Sequence, residues 1–394
     1  MPNRFGVDER LYTAVGRWRA DKTVRAPSLV IASRKGSLHL LSPVAGPDGA
    51  WSEESVEVPE LRSAQLTRVM ATAHDSHWGD EPIIVLAYGA DANRRRFVVI
   101  LERAASGNWR RIDPPKTFDV ADLAYAANSG FAAMHGGKTR IHWAARPGGR
   151  GVMASMFDMF GNDAWVRAAF PSQSVGNDFV VSPVAWEKCS LARLEGDRIV
   201  FHPVAESATD ADYLQRHRNG FARMHVDFGT SIEFRLPPPA NTPKVSGITP
   251  INDPGAWCHG LFVRTEQNEM YGCAFAHGKR PHSVGRMTGA AGGPAQLIQA
   301  AGAFFDGGHV HIFGRDAEKR IWWAEWPAGA SIEGLAWTDT GERADLIEAP
   351  QMMETDPFLF VGAEEGPVDV LTLPAGSTTW KRVPVKRATE LLAP

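Results

Sequence analysis

Residues 309–326 read His-Val-His-Ile-Phe-Gly-Arg-Asp-Ala-Glu-Lys-Arg-Ile-Trp-Trp-Ala-Glu-Trp, and the value of this stretch lies in what it repeats. Ile312-Phe313-Gly314-Arg315 can be laid over Leu261-Phe262-Val263-Arg264, and in both the next apolar anchor falls nine residues after the first, at Ile321 and at Met270. An aromatic follows each, Trp322 and Tyr271. The same nine-residue step runs from Leu29 to Leu38, followed by His39, from Ala132 to Ile141, followed by His142 and Trp143, and from Leu359 to Val368, followed by Asp369. Self-similarity at a fixed step outranks local propensity, because it declares a series of like units that bury their faces on one another.

Two looser copies pair Ile83-Ile84-Val85-Leu86 with Phe97-Val98-Val99-Ile100, and Leu191-Ala192-Arg193-Leu194 with Ile199-Val200-Phe201. Between the two apolar runs lies a turn rich in Gly, Asp, Asn or Lys, as in Arg34-Lys35-Gly36-Ser37 and Glu195-Gly196-Asp197, so each copy is a β-hairpin. A tryptophan follows most hairpins, at Trp51, Trp109, Trp165, Trp337 and Trp380, and is expected to open an outermost strand and fill the wide end of a wedge. Short segments with small residues precede several hairpins, at 69–72, 245–248, 300–303 and 348–351, which suits an inner strand crowded around an axis. Four strands per unit and about seven units of roughly 40 to 60 residues predict an all-β fold, a single seven-bladed β-propeller of four-stranded antiparallel blades. It would span 1–394 as one domain with a short N-terminal extension, 1–24, in which 8–23 reads as helix or strand and could complete the last blade. A lone four-stranded sheet leaves both faces wet, whereas a ring of them covers every face and leaves only short edges.

Composition agrees. The 394 residues are 44% hydrophobic and 22% charged, and the 38 glycines and 27 prolines are scattered, as many short strands and turns require. With 42 basic and 45 acidic residues the formal net charge is −3, which leaves no basic field to gather nucleic acid. The run Arg94-Arg95-Arg96 reads as a solvated hairpin tip. Cys189, Cys258 and Cys273 fit no zinc spacing and cannot all pair within the chain, which points to free thiols and a reducing compartment. No segment approaches the ~18 continuous apolar residues of a membrane span, and the first residues carry no apolar signal region. The expectation is a soluble protein, cytoplasmic or exported by a non-classical route.

The motif at 309–326 resembles the blade motif of bacterial fucose- and galactose-type lectin propellers, the PLL-like group, whose blades read apolar-Val-Phe-x-Arg-Gly-x-Asp-x-x-Leu-Trp/Tyr. Residues 260–275 are the second-best copy. The resemblance implies a seven-bladed ring that binds sugars in shallow pockets between blades. This sequence departs from that pattern through unequal blades, with long insertions after Ala145 and Val204, and through Asp369, Val98 and Val200 at the aromatic position. One or two surviving sites are therefore expected.

Sugar sites set an aromatic face against the C–H side of the ring and use charged or amide groups for the hydroxyls. His39, His142, Trp143, Tyr271, Trp322 and Trp323 stand at or beside the repeated aromatic position, with Arg264 and Arg315 on the partner strand, and they are the candidate ligand-binding residues. The competing reading is that they pack one blade on the next. His74, His77 and Asp80 form the densest potential metal-ligand cluster, although Asp75, like Asp253, Asp306 and Asp356, is more simply a turn former. Incomplete Asp-box pieces at 46–51 and 376–380, with only five tyrosines, disfavour a sialidase. Glycosidases need two facing carboxylates, and Glu325, Asp339, Glu364 and Glu365 are among many acids that the sequence alone cannot bring together. No phosphate, dinucleotide, acyl-transfer or zincin motif is present.

These readings favour a lectin-like recognition propeller that needs no cofactor and binds a glycan or protein partner through an interblade groove or one face. The alternative is an enzyme with a site at the mouth of a central channel, with a divalent metal ion as its possible cofactor, which the unequal blades and 13 histidines would suit.

Overall fold

The computed structural model describes residues 11–15, 28–33, 36–44, 50–62, 65–73, 83–90, 93, 96–104, 106–112, 131–133, 139–145, 152–159, 162–169, 179–184, 188–195, 198–207, 225–228, 232–235, 245–251, 258–276, 281–306, 309–327, 330–348, 357–363 and 367–393. These form seven antiparallel sheets in chain order. Sheet one holds β1 (Tyr12–Val15), β2 (Ser28–Ser33), β3 (Ser37–Pro43) and β4 (Trp51–Glu57). Sheet two holds β5 (Gln65–Ala73), β6 (Ile83–Ala90), β7 (Arg96–Arg103) and β8 (Trp109–Ile112). Sheet three holds β9 (Phe131–Ala133), β10 (Thr139–Ala145), β11 (Val152–Met159) and β12 (Asn162–Ala169). Sheet four holds β13 (Phe179–Val184), β14 (Lys188–Glu195), β15 (Arg198–Ser207), β16 (His225–Phe228) and β17 (Ile232–Arg235). Sheet five holds β18 (Val245–Ile251), β19 (Cys258–Thr265), β20 (Met270–Ala276) and β21 (Pro281–Arg286). Sheet six holds β22 (Gln299–Asp306), β23 (His309–Arg315), β24 (Arg320–Pro327) and β25 (Trp337–Arg343). Sheet seven holds β26 (Leu346–Glu348), β27 (Phe358–Gly362), β28 (Val368–Thr372) and β29 (Lys381–Pro384), and the helix α1 (Lys386–Leu392) follows.

In four of its five copies the nine-residue step joins the two central strands of a sheet. In four copies the second anchor pairs with the residue three after the first, as Ala32 with Leu38, Arg264 with Met270, Arg315 with Ile321 and Gly362 with Val368. The fifth copy is corrected: Ala132 and Ile141 lie on β9 and β10, the first two strands of sheet three, where Ile141 pairs with Ala133, and the central hairpin of that sheet is β10 and β11. The turns repeat as well: Gly36, Asn268 and Lys319 occupy one position with φ of 94°, 59° and 65°. Their N–H groups bond the carbonyls of Ser33, Thr265 and Asp316 at 3.0, 3.0 and 3.2 Å. At Gly36 a Cβ would fall 2.7 Å from the Arg62 backbone, so the left-handed conformation and the crowding both demand glycine there.

Some expectations are corrected. Trp51, Trp109 and Trp337 open outer strands and Trp380 immediately precedes one, but Trp165 is the fourth residue of β12. Sheet four is five-stranded, because β15 pairs along its first part with β17 and along its last part with β16, so its outer edge is built from two short strands. Residues 12–15, within the segment read as an extension, form β1 and pair with β2, so they complete the first sheet and not the last. Residues 74–82, 94 and 95 lie outside the described residues. Among the described residues no helix is long and apolar enough to cross a membrane.

First strands touch in chain order: β1 meets β5, β5 meets β9, β9 meets β13, β13 meets β18, β18 meets β22 and β22 meets β26. Thr13 on β1 in turn donates a hydrogen bond to Glu348 on β26 at 3.0 Å. Tyr12 lies over Gly362, where a Cβ would come 2.9 Å from its hydroxyl. The core lies in the seams between sheets. Val30, Leu40, Val85 and Val99 join sheets one and two, Phe262, Ile312 and Trp326 join five and six, and Ile31, Phe313, Phe360 and Leu392 join six, seven and one. The outer tryptophans each reach back into the preceding seam, Trp337 to the Met287 carbonyl at 2.7 Å, Trp380 to the ring of Phe313 at 5.8 Å, and Trp51 to Phe360 of sheet seven at 6.2 Å.

Candidate interblade groove

Alternate strand residues face opposite ways, and this rule sorts the candidate residues. Met270 packs with Ile312 and Trp322, and a Cβ on Gly272 would meet Ile332, so this face of β20 looks toward sheet six. Tyr271 therefore faces away from sheet six. Trp322 packs with Phe262 and Met287 toward sheet five, while Trp323 packs toward sheet seven. Arg264 stands opposite Met270 and Arg315 opposite Ile321, so each arginine shares the face that its own copy's aromatic turns away from. Arg264 and Tyr271, and likewise Arg315 and Trp322, thus do not converge, whereas Arg315 shares its face of sheet six with Trp323.

Most candidates are engaged in holding sheets together. Arg264 donates to the Ile298 carbonyl at 2.7 Å. Arg315 donates to Gln299 Oε1 at 3.2 Å, and the Gln299 amide pairs with the Ile347 backbone in both directions, at 2.9 and 3.3 Å. The Trp322 N–H donates to Asp316 at 2.9 Å, and the Arg320 guanidinium lies 5.3 Å from its ring centre. His142 and Trp143 stand at successive positions on β10, and their side chains lie outside the described set, as do His74, His77 and Asp80. Among the described residues no group of three His, Cys, Asp or Glu side chains could hold a metal ion.

His39 uses both ring nitrogens. Nδ1 lies 2.8 Å from Glu53 and Nε2 lies 2.7 Å from the Ser37 hydroxyl. Glu53 also accepts from Arg387 of α1 at 2.6 and 3.2 Å, so a network of side chains ties sheet one to the helix that ends sheet seven. The hydrogen bond from Arg387 is the main cause holding the Glu53 carboxyl below its usual range, with burial opposing it and His39 assisting. A carboxylate depressed in the folded state stabilises above its unfolded value and loses that contribution as pH falls through the folded one. The melting temperature is thus expected to fall as pH drops below about 4.5, and Glu53→Gln should flatten that limb in melts across the acid range. An unchanged acid limb in the variant would count against the network.

Among the candidate residues whose side chains are described, His39, Tyr271 and Trp322 are buried, and Trp323, between sheets six and seven, is the aromatic that keeps part of its surface open. Trp323 is half-buried, its N–H donates to His311 Nδ1 at 3.2 Å, and its ring stacks on the imidazole at 5.9 Å with 18° between planes. Trp380 meets it edge-on at 5.7 Å. Two residues along the same face stands Glu325, exposed, opposite the buried His311. An indole held on two sides beside a carboxylate can stack on an apolar ring face and bond adjacent hydroxyls. Of these four groups, only Trp323 stood among the candidate ligand residues. His311 carried no repeat signal, and Glu325 was one acid among many until the register placed it beside the indole.

No protein-family model matches the chain, and no curated protein matches it. Solved structures do. The BP39L lectin from Burkholderia pseudomallei superposes with a TM-score of 0.54 at 11% identity, over 95% of this chain and 98% of that one. Aleuria aurantia lectin with α-methyl-L-fucoside gives 0.47 at 12% identity, over 97% and 96%. Another structure of that lectin, described as a six-bladed β-propeller with fucose recognition, gives 0.43 at 13% identity, over 88% and 100%. At such identities the likeness speaks to fold alone, an all-β fold of antiparallel sheets that this chain shares with the BP39L lectin.

Proposed function

We propose that the chain is a carbohydrate-binding, lectin-like propeller, a closed ring of seven blades that takes a glycan in the groove between sheets six and seven. The observation that carries the site is Trp323, half-buried, oriented by His311 and Trp380, and neighboured by the exposed Glu325. The fold shared with the BP39L lectin supports a carbohydrate as the ligand class. The resemblance of 309–326 to the PLL-like blade motif supports fucose or galactose as first probes. Closure is supported by Trp51, which stands to sheet seven as Trp380 stands to sheet six. The reading requires no cofactor.

A glycan array followed by calorimetry tests it. Binding of a fucosylated or galactosylated glycan is expected, with Glu325→Ala weakening it roughly ten- to a hundredfold, the loss of one charge-assisted hydrogen bond of ~1.5–3 kcal/mol, while the melting temperature stays within a degree or so. Absence of carbohydrate binding at millimolar ligand would sink the proposal.

A further inference from the structure

The aromatic position filled by Trp322 on sheet six is filled by Tyr271 on sheet five, and the two hairpins satisfy it differently. The Trp322 N–H is answered inside its own turn by Asp316. The corresponding turn residue on sheet five is Thr265, whose hydroxyl accepts from the Glu269 N–H at 3.1 Å. The Tyr271 hydroxyl, on a residue 1% exposed, has no hydrogen-bond partner among the described residues. Arg286 stands directly across the strand pair from Tyr271, and its Nε–H is likewise buried and unbonded, although its Nη2 holds Glu269 at 2.6 Å. Two neighbouring hairpins of one design therefore differ in a single respect. One closes its polar group internally, and the other leaves two buried polar atoms on the same face with nothing to bond. Groups of that kind are costly to leave unmet and mark the place of an outside partner.

We propose that Glu269, Tyr271 and Arg286 form a second binding site, on the face of sheet five turned away from sheet six, for a neutral hydroxyl oxygen. That oxygen accepts from Arg286 Nε–H and exchanges a hydrogen bond with the Tyr271 hydroxyl. The charges select neutrality. Glu269 already balances Arg286, and the Tyr271 phenol is raised above its ordinary value chiefly by burial and then by Glu269, so the phenol stays protonated and an anion would meet a carboxylate. A carbohydrate hydroxyl and an ordered water share this chemistry. The site is independent of the groove between sheets six and seven and stands whether or not that groove binds sugar.

Thermal melts of the full chain and of Tyr271→Phe decide it. With an oxygen bound, removing the phenol hydroxyl breaks one hydrogen bond and weakens another, so the variant is expected to melt roughly 1–3 °C lower. An unoccupied site predicts the opposite sign. Deleting a buried, unbonded hydroxyl relieves a desolvation cost, and a variant that melts at the same temperature or higher overturns the proposal. Repeating both melts with methyl α-L-fucoside and methyl α-galactoside identifies the source. A stabilising shift in the parent chain that is absent in Tyr271→Phe assigns the oxygen to carbohydrate, and equal shifts in both, with the variant still less stable, assign it to water.

Discussion

Ending the chain after Pro384 is expected to destabilise it by roughly 3–6 kcal/mol, the loss of two fully buried aliphatic side chains at ~1.5–3 kcal/mol each. Val385 and Leu392 are 1% and 2% exposed, and Ala388 is fully buried beside them. All three belong to the cluster that joins sheets six, seven and one. The helix α1 touches β2 of sheet one and β28 of sheet seven, so it lies across the meeting of the chain's first and last sheets. The Val385 N–H also bonds the Val368 carbonyl at 2.9 Å, which would be left open. The ion pair between Arg387 and Glu53 is mostly exposed and adds little by comparison. Urea unfolding of the full and shortened chains measures the loss. Limited proteolysis should then cut first near β1 or β29 if the helix guards that seam. A shortened chain with an unchanged midpoint would show that the seam is held by the strands alone.

How much of this was legible beforehand depends on whether the signal was local. The hairpins, their turns and the tryptophans were readable because each is a short-range necessity. A left-handed residue must sit at one position of the turn, and Gly36, Asn268 and Lys319 all answer it within a few residues of their anchors. Seven sheets followed from counting those copies. What the sequence could not supply was facing. Arg264 and Tyr271 are seven residues apart and looked like partners, yet the strand period places them on opposite sides of one sheet. Glu53 and Arg387 are 334 residues apart, and no pattern in either neighbourhood announces the other. Trp323 was legible as an aromatic beside the repeated position, but its orientation by His311 and Trp380 belongs to the packing of two sheets. The site thus emerges only where the register of sheet six meets the outer strand of sheet seven.

Trp337→Ala is the single substitution expected to cost most, about 3–5 kcal/mol for emptying a buried indole and a further ~1–3 kcal/mol for the hydrogen bond it leaves unmade. The side chain is 8% exposed and lies in the seam of sheets five and six, so close to Gly293 that a Cβ added there would come 3.2 Å from the indole. Its N–H reaches the Met287 carbonyl at 2.7 Å, a group just beyond the last strand of the preceding sheet. Sheets that diverge outward leave their widest gap at this level, where a small side chain would leave a void and a purely apolar ring would leave the carbonyl dry and unbonded. Indole answers both needs, with a large apolar body and one donor at its edge. Trp337→Phe separates them: it keeps most of the volume, loses the donor, and should fall between the parent and Trp337→Ala in denaturant midpoint. If the phenylalanine variant matches the parent, volume alone explains the tryptophan. If it matches the alanine variant, the hydrogen bond to the neighbouring sheet is what the position requires. The intermediate result is the one expected of an indole kept at Trp337 both for its volume and for the hydrogen bond it gives the neighbouring sheet.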